Sequence, residues 1–265
     1  MPTTRLDAAL VARGLAPSRT RAARLIADGE VAVAGLIRVK ASTPVTDAHE
    51  ISVASANAWV GRAARKLDAA LGAFAVDPRG RLALDVGAST GGFTQVLLER
   101  GARRVIALDV GHDQLVSALR ADPRVVVVEG FNARELDAAS LARASGLDEV
   151  PSLAVVDVSF IPLRLVLPAL RMAIAADADV IALVKPQFEV GRGGIREGVV
   201  RDAALRADAV RGVLATAAAI GLRTAGVLSS PIEGSAGNRE VLVHLSAVRG
   251  SDPTEWEARV IDSTR

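Results

Sequence analysis

The chain has no cysteine, no tyrosine and only three histidines. Disulfides, thiolate zinc sites and a cysteine nucleophile are thereby excluded, and His49, His112 and His244 are too scattered to suggest a metal cluster. A metal-free chemistry is expected. Aromatics make up 3% of the residues, which by itself excludes nothing. Long apolar runs are missing as well: half of the residues are hydrophobic, but the apolar stretch 212–222 is only eleven residues long, against the roughly 18 that a membrane span needs. The first residues lack a basic start followed by an apolar core. A cytoplasmic protein with no stable membrane association is expected.

What is present is unevenly distributed. At 265 residues the chain is long for one compact domain, and a small unit followed by a larger one is the natural division. The net charge of +2 splits into +5 for residues 1–66 and −3 for the rest. A basic module joined to a mildly acidic one suggests that nucleic acid meets the N-terminal part first.

In that part, Leu6, Ala9 and Leu10 followed by Gly14 predict a short amphipathic helix. Pro17 and Ser18 open a second helix that runs through Ile26 and stops at Gly29. Val31, Val33 and Val53 lie in short alternating runs separated by Gly35 and Pro44, so the unit reads as two helices on a small sheet. Arg19, Arg21 and Arg24 on the second helix, with Arg38 and Lys40 on the hairpin, suit a phosphate-binding surface or a solvated helix face.

From residue 81 onward, apolar runs alternate with helical segments. RLALDV, RRVIALDV, RVVVVEG, SLAVVDV, ADVIALVK, RTAGVLSS and EVLVHLS are strand candidates, and continuous apolar runs suit strands buried on both faces. A doubly wound α/β sheet follows, with an antiparallel strand among the last two. The first strand runs into DVGASTGGF at 85–93. Gly87, Gly91 and Gly92 at this strand-to-helix turn, beside Phe93, allow close backbone approach by a ligand at the carboxyl end of the strand, or serve an ordinary tight connection. A dinucleotide fingerprint would place glycine where Ser89 stands. Asp85 offers an anion suited to the cationic amino-acid end of S-adenosylmethionine. Asp109, closing the second strand, is placed for ribose hydroxyls, and Asn132 for adenine or for its own turn.

Asp157 and Lys185 close two further strands, where sheet geometry delivers side chains to the cofactor crevice. Glu240 opens the last strand, and Lys66 lies on the helix that enters the larger unit. Two lysines and two carboxylates can converge there or form structural ion pairs. For methyl transfer to a ribose hydroxyl, Lys185 would orient or deprotonate the nucleophile, with Asp157 and Glu240 setting its charge and Lys66 steering the ribose phosphate. The segment 186–198, with four glycines directly after Lys185, reads as a substrate lid or a plain connector.

These strings carry a resemblance. RLDAALVARGLAPSRTRAARLIADGEVAVAG resembles the small RNA-binding domain of ribosomal small-subunit protein four and of pseudouridine synthases, with Ala34 where asparagine is frequent. Lys66, Asp157, Lys185 and Glu240 around DVGASTGGF resemble the tetrad of FtsJ-like RNA ribose 2'-O-methyltransferases. The whole chain resembles the TlyA, or hemolysin A, family through AWV (58–60), RKL (65–67), DVGASTGGFT (85–94), VVDVSFIPL (155–163), LVKPQFEVG (183–191) and GNRE (237–240). It departs at Asn57, where the family tends to have arginine, and at Ala63, where glycine is frequent.

The resemblance implies a Rossmann-like, seven-stranded methyltransferase sheet preceded by a small α+β RNA-binding domain. It implies domains at 1–56 and 63–250, a linker at 57–62 and a tail at 251–265. It further implies S-adenosylmethionine as cofactor, bound by Asp85, Gly87, Ser89, Gly91, Gly92, Phe93, Asp109, Asn132, Asp157 and Phe160. The RNA contacts would be Arg5, Arg19, Arg21, Arg24, Arg38, Lys40 and Arg65. The implied reaction is 2'-O-methylation of cytidines in 16S and, for a longer form with a start like MPTTRLDAALV, 23S ribosomal RNA within subunits, linked to sensitivity to capreomycin-type antibiotics. The rivals are a non-catalytic RNA-binding assembly factor, which would bind subunits without labelling them, and a membrane-active hemolysin, which would leak liposomes. A nicotinamide enzyme would bind that cofactor.

Overall fold

A computed structural model describes residues 3–16, 18–27, 30–38, 40–53, 59–191, 194–234 and 237–265, apart from the side chains of Arg24 and Ile37. Pro17, Gly29, Asn57 and Ala58 therefore lie outside the described residues. The chain divides into two compact units, Met1–Arg62 and Ala63–Arg265.

In the first unit, β1 (Thr4–Arg5) leads into α1 (Leu6–Ala12), after which Gly14 takes a left-handed φ of 69°. The helix α2 (Arg19–Ala27) follows. Then come β2 (Val31–Val33), β3 (Leu36–Ile37), β4 (Pro44–Val45) and β5 (Ile51–Val53). The sheet order is β3-β2-β5, all antiparallel, with β1 and β4 forming a separate pair. Leu6 and Leu10 of α1, Ala22, Leu25 and Ile26 of α2, and Val31, Val33 and Val45 form one core. The two-helix, small-sheet arrangement follows from these apolar positions facing one another.

The second unit begins with α3 (Ala63–Ala73) and β6 (Leu82–Val86), so Ala63 is helical from the start. It continues with α4 (Gly92–Glu99), β7 (Arg104–Leu108), α5 (Ser117–Arg120) and β8 (Val125–Val128). After α6 (Ala138–Ser145) come β9 (Leu153–Val156), α7 (Leu163–Ala173), β10 (Asp179–Val184) and α8 (Pro186–Glu189). The chain then runs through α9 (Ala203–Ala219), β11 (Arg223–Ser229), β12 (Val241–Ser246) and α10 (Glu257–Ser263). All seven strand candidates are strands of one sheet, in the order β11-β12-β10-β9-β6-β7-β8. β12 runs opposite to the other six strands, antiparallel to β10 and to β11, as Val184↔Val241 and Ser229↔Val241 define.

Strand side chains alternate between faces. Leu84, Val86, Ile106, Val156, Val180 and Val243 pack with α6, α7, α9 and α10. Asp85 therefore points to the other face, that of α3 and α4. Residues 251–265, set apart as a tail on the sequence, belong to this unit: Val260 is 1% exposed and joins the main core. Burial of α10 on α9 and β11 makes the stretch a structural layer. Among the described residues no helix is long and apolar enough to cross a membrane.

At the β2–β3 hairpin, Val33 pairs with Leu36, and the two residues between them, Ala34 and Gly35, have φ of 50° and 76°. Such a turn favours Asn-Gly, because asparagine tolerates the left-handed region better than alanine. Ala34→Asn is expected to stabilise the N-terminal unit by about 0.5–1 kcal/mol, read as a higher midpoint in urea. An unchanged or lower midpoint would contradict this account of the turn.

Candidate active site

The parallel strands β6, β7, β9 and β10 all end at one sheet edge, and the polar residues that follow them gather there. A cavity of about 540 Å³ opens along this edge. Gly87, Ser89, Asp109, Asn132, Asp157 and Phe160 line it, as do Val110, Phe131 and Ile161, which make an apolar wall. Asp109 is already engaged: its two carboxylate oxygens accept from Ser89 N at 2.8 Å and Gly111 N at 2.7 Å. Each oxygen retains lone-pair capacity toward the cavity. Asn132 caps a single 3-10 turn, its Oδ1 accepting from Arg134 N at 3.1 Å.

The glycine turn serves packing as much as ligand access. A Cβ on Gly87 would stand 2.7 Å from the carbonyl oxygen of Asp157, so this glycine lets the ends of β6 and β9 close on each other. At Gly91, φ is 100° and a Cβ would meet the side chains of Leu119 and Leu115. Gly92 starts α4 against the first turn of α3, with Ala64 N 3.2 Å from its ideal Cβ. Phe93 is buried. Gly91, Gly92 and Phe93 are not cavity-lining residues; they shape the turn from behind.

Asp85 is also behind the wall. It is fully buried, Oδ2 accepts from Thr94 Oγ1 at 2.6 Å, and Oδ1 has no hydrogen-bond partner. Burial pushes its carboxyl up to about 7, with the nearby Asp157 charge adding to the effect and the Thr94 bond opposing it. A group so placed is not the ready anion that the sequence suggested.

The four charged residues form two pairs. Lys66, on the buried face of α3, bonds to Glu240 at the start of β12, and their side chains are 6% and 3% exposed. Lys185, ending β10, places Nζ 2.7 Å from Asp157 Oδ1 and donates to Ser159 Oγ at 2.8 Å. The contact with Asp157 Oδ1 is a charge contact outside hydrogen-bond alignment, so the directed bond is the one to Ser159. Val184 and Val241 are register partners, which sets Lys185 and Glu240 on adjacent strand ends. Among the described residues no group of three or more His, Cys, Asp or Glu could hold a metal ion.

Two loops meet around Lys185. Phe160 is 91% exposed, has φ of 64°, and packs against Phe188 with ring centroids 5.2 Å apart. It is therefore not a core residue. A left-handed aromatic residue is held there only when its surroundings over-determine it. Glu189, on α8, bonds to the Leu163 backbone N–H at the start of α7. Ser159, Phe188 and Glu189 are site-forming residues that sequence reasoning did not single out, although each stands within a quoted motif string.

The segment after Lys185 is tied down at its far end too. Asn238, 2% exposed, accepts from Val200 N at 3.1 Å and donates to Gly198 O at 2.8 Å. Arg206 donates to Val200 O at 3.1 Å from the other side.

In the N-terminal unit, Arg5 and Arg19 converge on Asp7, at 3.0 Å each. The Arg5 guanidinium, hydrogen-bonded to Asp7, holds its carboxyl down to about 2, with Arg19 adding to the effect. Both arginines keep exposed side chains, 53% and 63%. Arg21 and Arg38 are half-buried and Lys40 is exposed, while the side chain of Arg24 lies outside the described atoms. Arg65 is not in this unit: it is an exposed residue of α3, beside buried Lys66.

Two predictions follow from this geometry. Removing one partner of a buried ion pair costs about 3–5 kcal/mol, whereas replacing both with apolar groups can be neutral. Lys66→Met should destabilise the second unit by that amount and Lys66→Met/Glu240→Leu by much less, in chemical denaturation. Equal losses would show that the pair is not buried as described. Asp85 has a folded value above its unfolded one, so its stabilising contribution is full below pH 4 and falls as pH rises toward 7. Asp85→Asn should flatten that decline, and an unchanged pH–stability curve would contradict the raised value.

Residues 59–247 match the FtsJ-like methyltransferase family, and residues 4–51 match the S4 domain. TlyA of Mycobacterium tuberculosis, a 16S/23S rRNA (cytidine-2'-O)-methyltransferase, is 50% identical over 91% of this chain and 89% of its own length. Hemolysin A of Brachyspira hyodysenteriae is 37% identical over 91% of this chain and 99% of its own. A solved structure from Streptococcus thermophilus, described as a hemolysin, superposes with a TM-score of 0.76 at 36% identity, covering 100% of this chain and 96% of that one. With the α/β sheet, its edge cavity and the paired lysines and carboxylates in view, the chain belongs to the FtsJ-like methyltransferase family, as an enzyme of TlyA type with an S4 domain at its N-terminal end.

Proposed function

We propose that the protein transfers a methyl group from S-adenosylmethionine to the ribose 2'-hydroxyl of cytidines in ribosomal RNA. The observation that carries this reading is Lys185, held by Asp157 and Ser159, both of which line the edge cavity. The cavity suits the cofactor in size and chemistry: about 540 Å³, an apolar wall of Val110, Phe131 and Ile161, and Asp109 with spare acceptor capacity for ribose hydroxyls. Asp157 supplies a carboxylate on the side of Lys185.

When bound, S-adenosylmethionine supplies an electrophilic methyl on a sulfonium. The two contacts on Lys185 hold Nζ in place and leave its remaining valence for a hydroxyl. In the reaction Lys185 would orient the 2'-hydroxyl through Nζ and take up its proton as that oxygen receives the methyl group. Asp157 then faces the new ammonium and stabilises it. Glu240 and Lys66, locked to each other, shape the neighbouring wall, and Lys66 steers the ribose phosphate only to the extent that Glu240 releases it.

The N-terminal unit grips the RNA, with Arg5 and Arg19 splayed by Asp7 as the anchoring pair and Arg21, Arg38 and Lys40 adding phosphate contacts. The printed activity of the Mycobacterium tuberculosis relative supports 16S and 23S RNA as targets. Loss of these methyl groups would alter sensitivity to capreomycin-type antibiotics, and the reaction would take place in the cytoplasm on ribosomal subunits.

The test is label transfer from radioactive S-adenosylmethionine to unmethylated 16S- and 23S-containing subunits, with nucleotide mapping. Label is expected at cytidine 2'-oxygens, with Lys185→Ala lowering the rate on the order of a hundredfold or more. Label on a base would overturn the ribose chemistry, and subunit binding without label would favour an assembly factor.

A further inference from the structure

Glu189 is a buried carboxylate to which the methyl-transfer reading gives no task. It is 7% exposed and burial pushes its carboxyl up, with the half-exposed Arg164 guanidinium 3.7 Å from Oε2 opposing that rise, so its presence requires a reason. Its bonds supply one. Oε1 accepts from the Leu163 N–H, one of the amides that the first turn of α7 leaves without an intrahelical partner, and Arg164 donates to the Glu189 carbonyl at 3.3 Å.

The chain positions make this bond a fastener between loops. Leu163 ends the loop that carries Asp157, Ser159 and Phe160; Glu189 ends the turn that carries Lys185 and Phe188. Three contacts therefore join the two loops in parallel: Lys185 to Asp157 and Ser159, Phe160 to Phe188, and Glu189 to Leu163. The first two involve the cavity-lining residues Asp157, Ser159 and Phe160, which are partly or largely exposed, and Phe160 holds a left-handed backbone that must be imposed from outside. Only the third is buried.

We propose that Glu189 is a positioning residue, which sets Lys185 against Asp157 and Ser159 by pinning its turn to the N-terminus of α7. This rests on the reading of Lys185 as the group that takes the hydroxyl proton. Glu189 touches neither substrate nor cofactor; it acts through the geometry of Lys185. What the bond to the Leu163 N–H needs is an acceptor oxygen at the right reach; the charge contact with Arg164, at 3.7 Å to a half-exposed guanidinium, is screened by solvent and adds little.

That requirement gives the test. In the full-length chain, Glu189→Gln keeps the acceptor and Glu189→Ala removes it. The alanine variant should lose on the order of ten- to a hundredfold in kcat, with cofactor affinity changed less than about twofold, and the glutamine variant should remain near the wild type. In a Lys185→Ala background, Glu189→Ala should cost nothing further, as expected of residues acting as one unit. Independently of turnover, the carbon-13 resonance of the Lys185 ε-methylene, identified with Lys185→Arg, should move in Glu189→Ala and stay in Glu189→Gln. Should the alanine variant not fold, Glu189→Asp, which withdraws the carboxylate by one methylene, is expected to show the same loss.

Three results would overturn the proposal: a glutamine variant as impaired as the alanine one, full additivity with Lys185→Ala, or an unmoved Lys185 resonance. Absence of methyl transfer in the wild type with the resonance behaving as expected would instead remove the methyltransferase reading and leave the fastener in place.

Discussion

The second unit depends on two charges that cannot reach water. Lys66 enters on the first helix and Glu240 on the last strand, 174 residues later, and each is buried to about the depth of the core. Neither could be buried alone without a cost of several kcal/mol. Pairing therefore obliges α3 and the antiparallel β12 to arrive at the same place, which fixes the start and the close of the fold against each other. Gly92, admitting the first turn of α3 onto α4, and Gly234, whose Cβ would stand 2.6 Å from a Glu240 oxygen, are the local concessions that let this happen.

From that frame the site follows by sheet geometry. Parallel strands buried on both faces have only their ends for polar residues, and β6, β7, β9 and β10 present Asp85, Asp109, Asp157 and Lys185 in turn. The four do not become equivalent. Asp85 drops behind the wall toward Thr94, Asp109 holds the Ser89 and Gly111 backbones while still facing the cavity, and Asp157 faces both the cavity and a lysine. A strand-end carboxylate thus acquires its character from the loop that covers it.

This marks how far the sequence could be read. Strands show in it because RVVVVEG or ADVIALVK are apolar without interruption, and the antiparallel partner because EVLVHLS comes after the βα alternation ends. The tetrad residues were legible as charged letters, three at strand ends and Lys66 on the entering helix. Their division into Lys66–Glu240 and Lys185–Asp157 was not, since it depends on which helix face and which strand neighbour each side chain meets. Ser159 and Glu189 were invisible as site residues for a related reason: each matters through one contact to a partner 26 positions away, and nothing in local composition reports such a contact. Arg5 and Arg19 stand in the sequence as candidate RNA contacts, and charge alone does not report that Asp7, close by in sequence, engages both.

The stretch after Lys185 is fastened at one end by Glu189 and at the other by Asn238 and Arg206, which grip Val200 from two sides. Lengthening a loop whose ends are already fixed adds little to its closure entropy, about 0.6 kcal/mol for each doubling. Insertions, deletions and changes of composition between the two anchors would leave Lys185 and Glu240 on their adjacent strand ends. Among descendants of this chain, that arc can therefore change in length and composition while its two moorings keep Lys185 in register with Asp157.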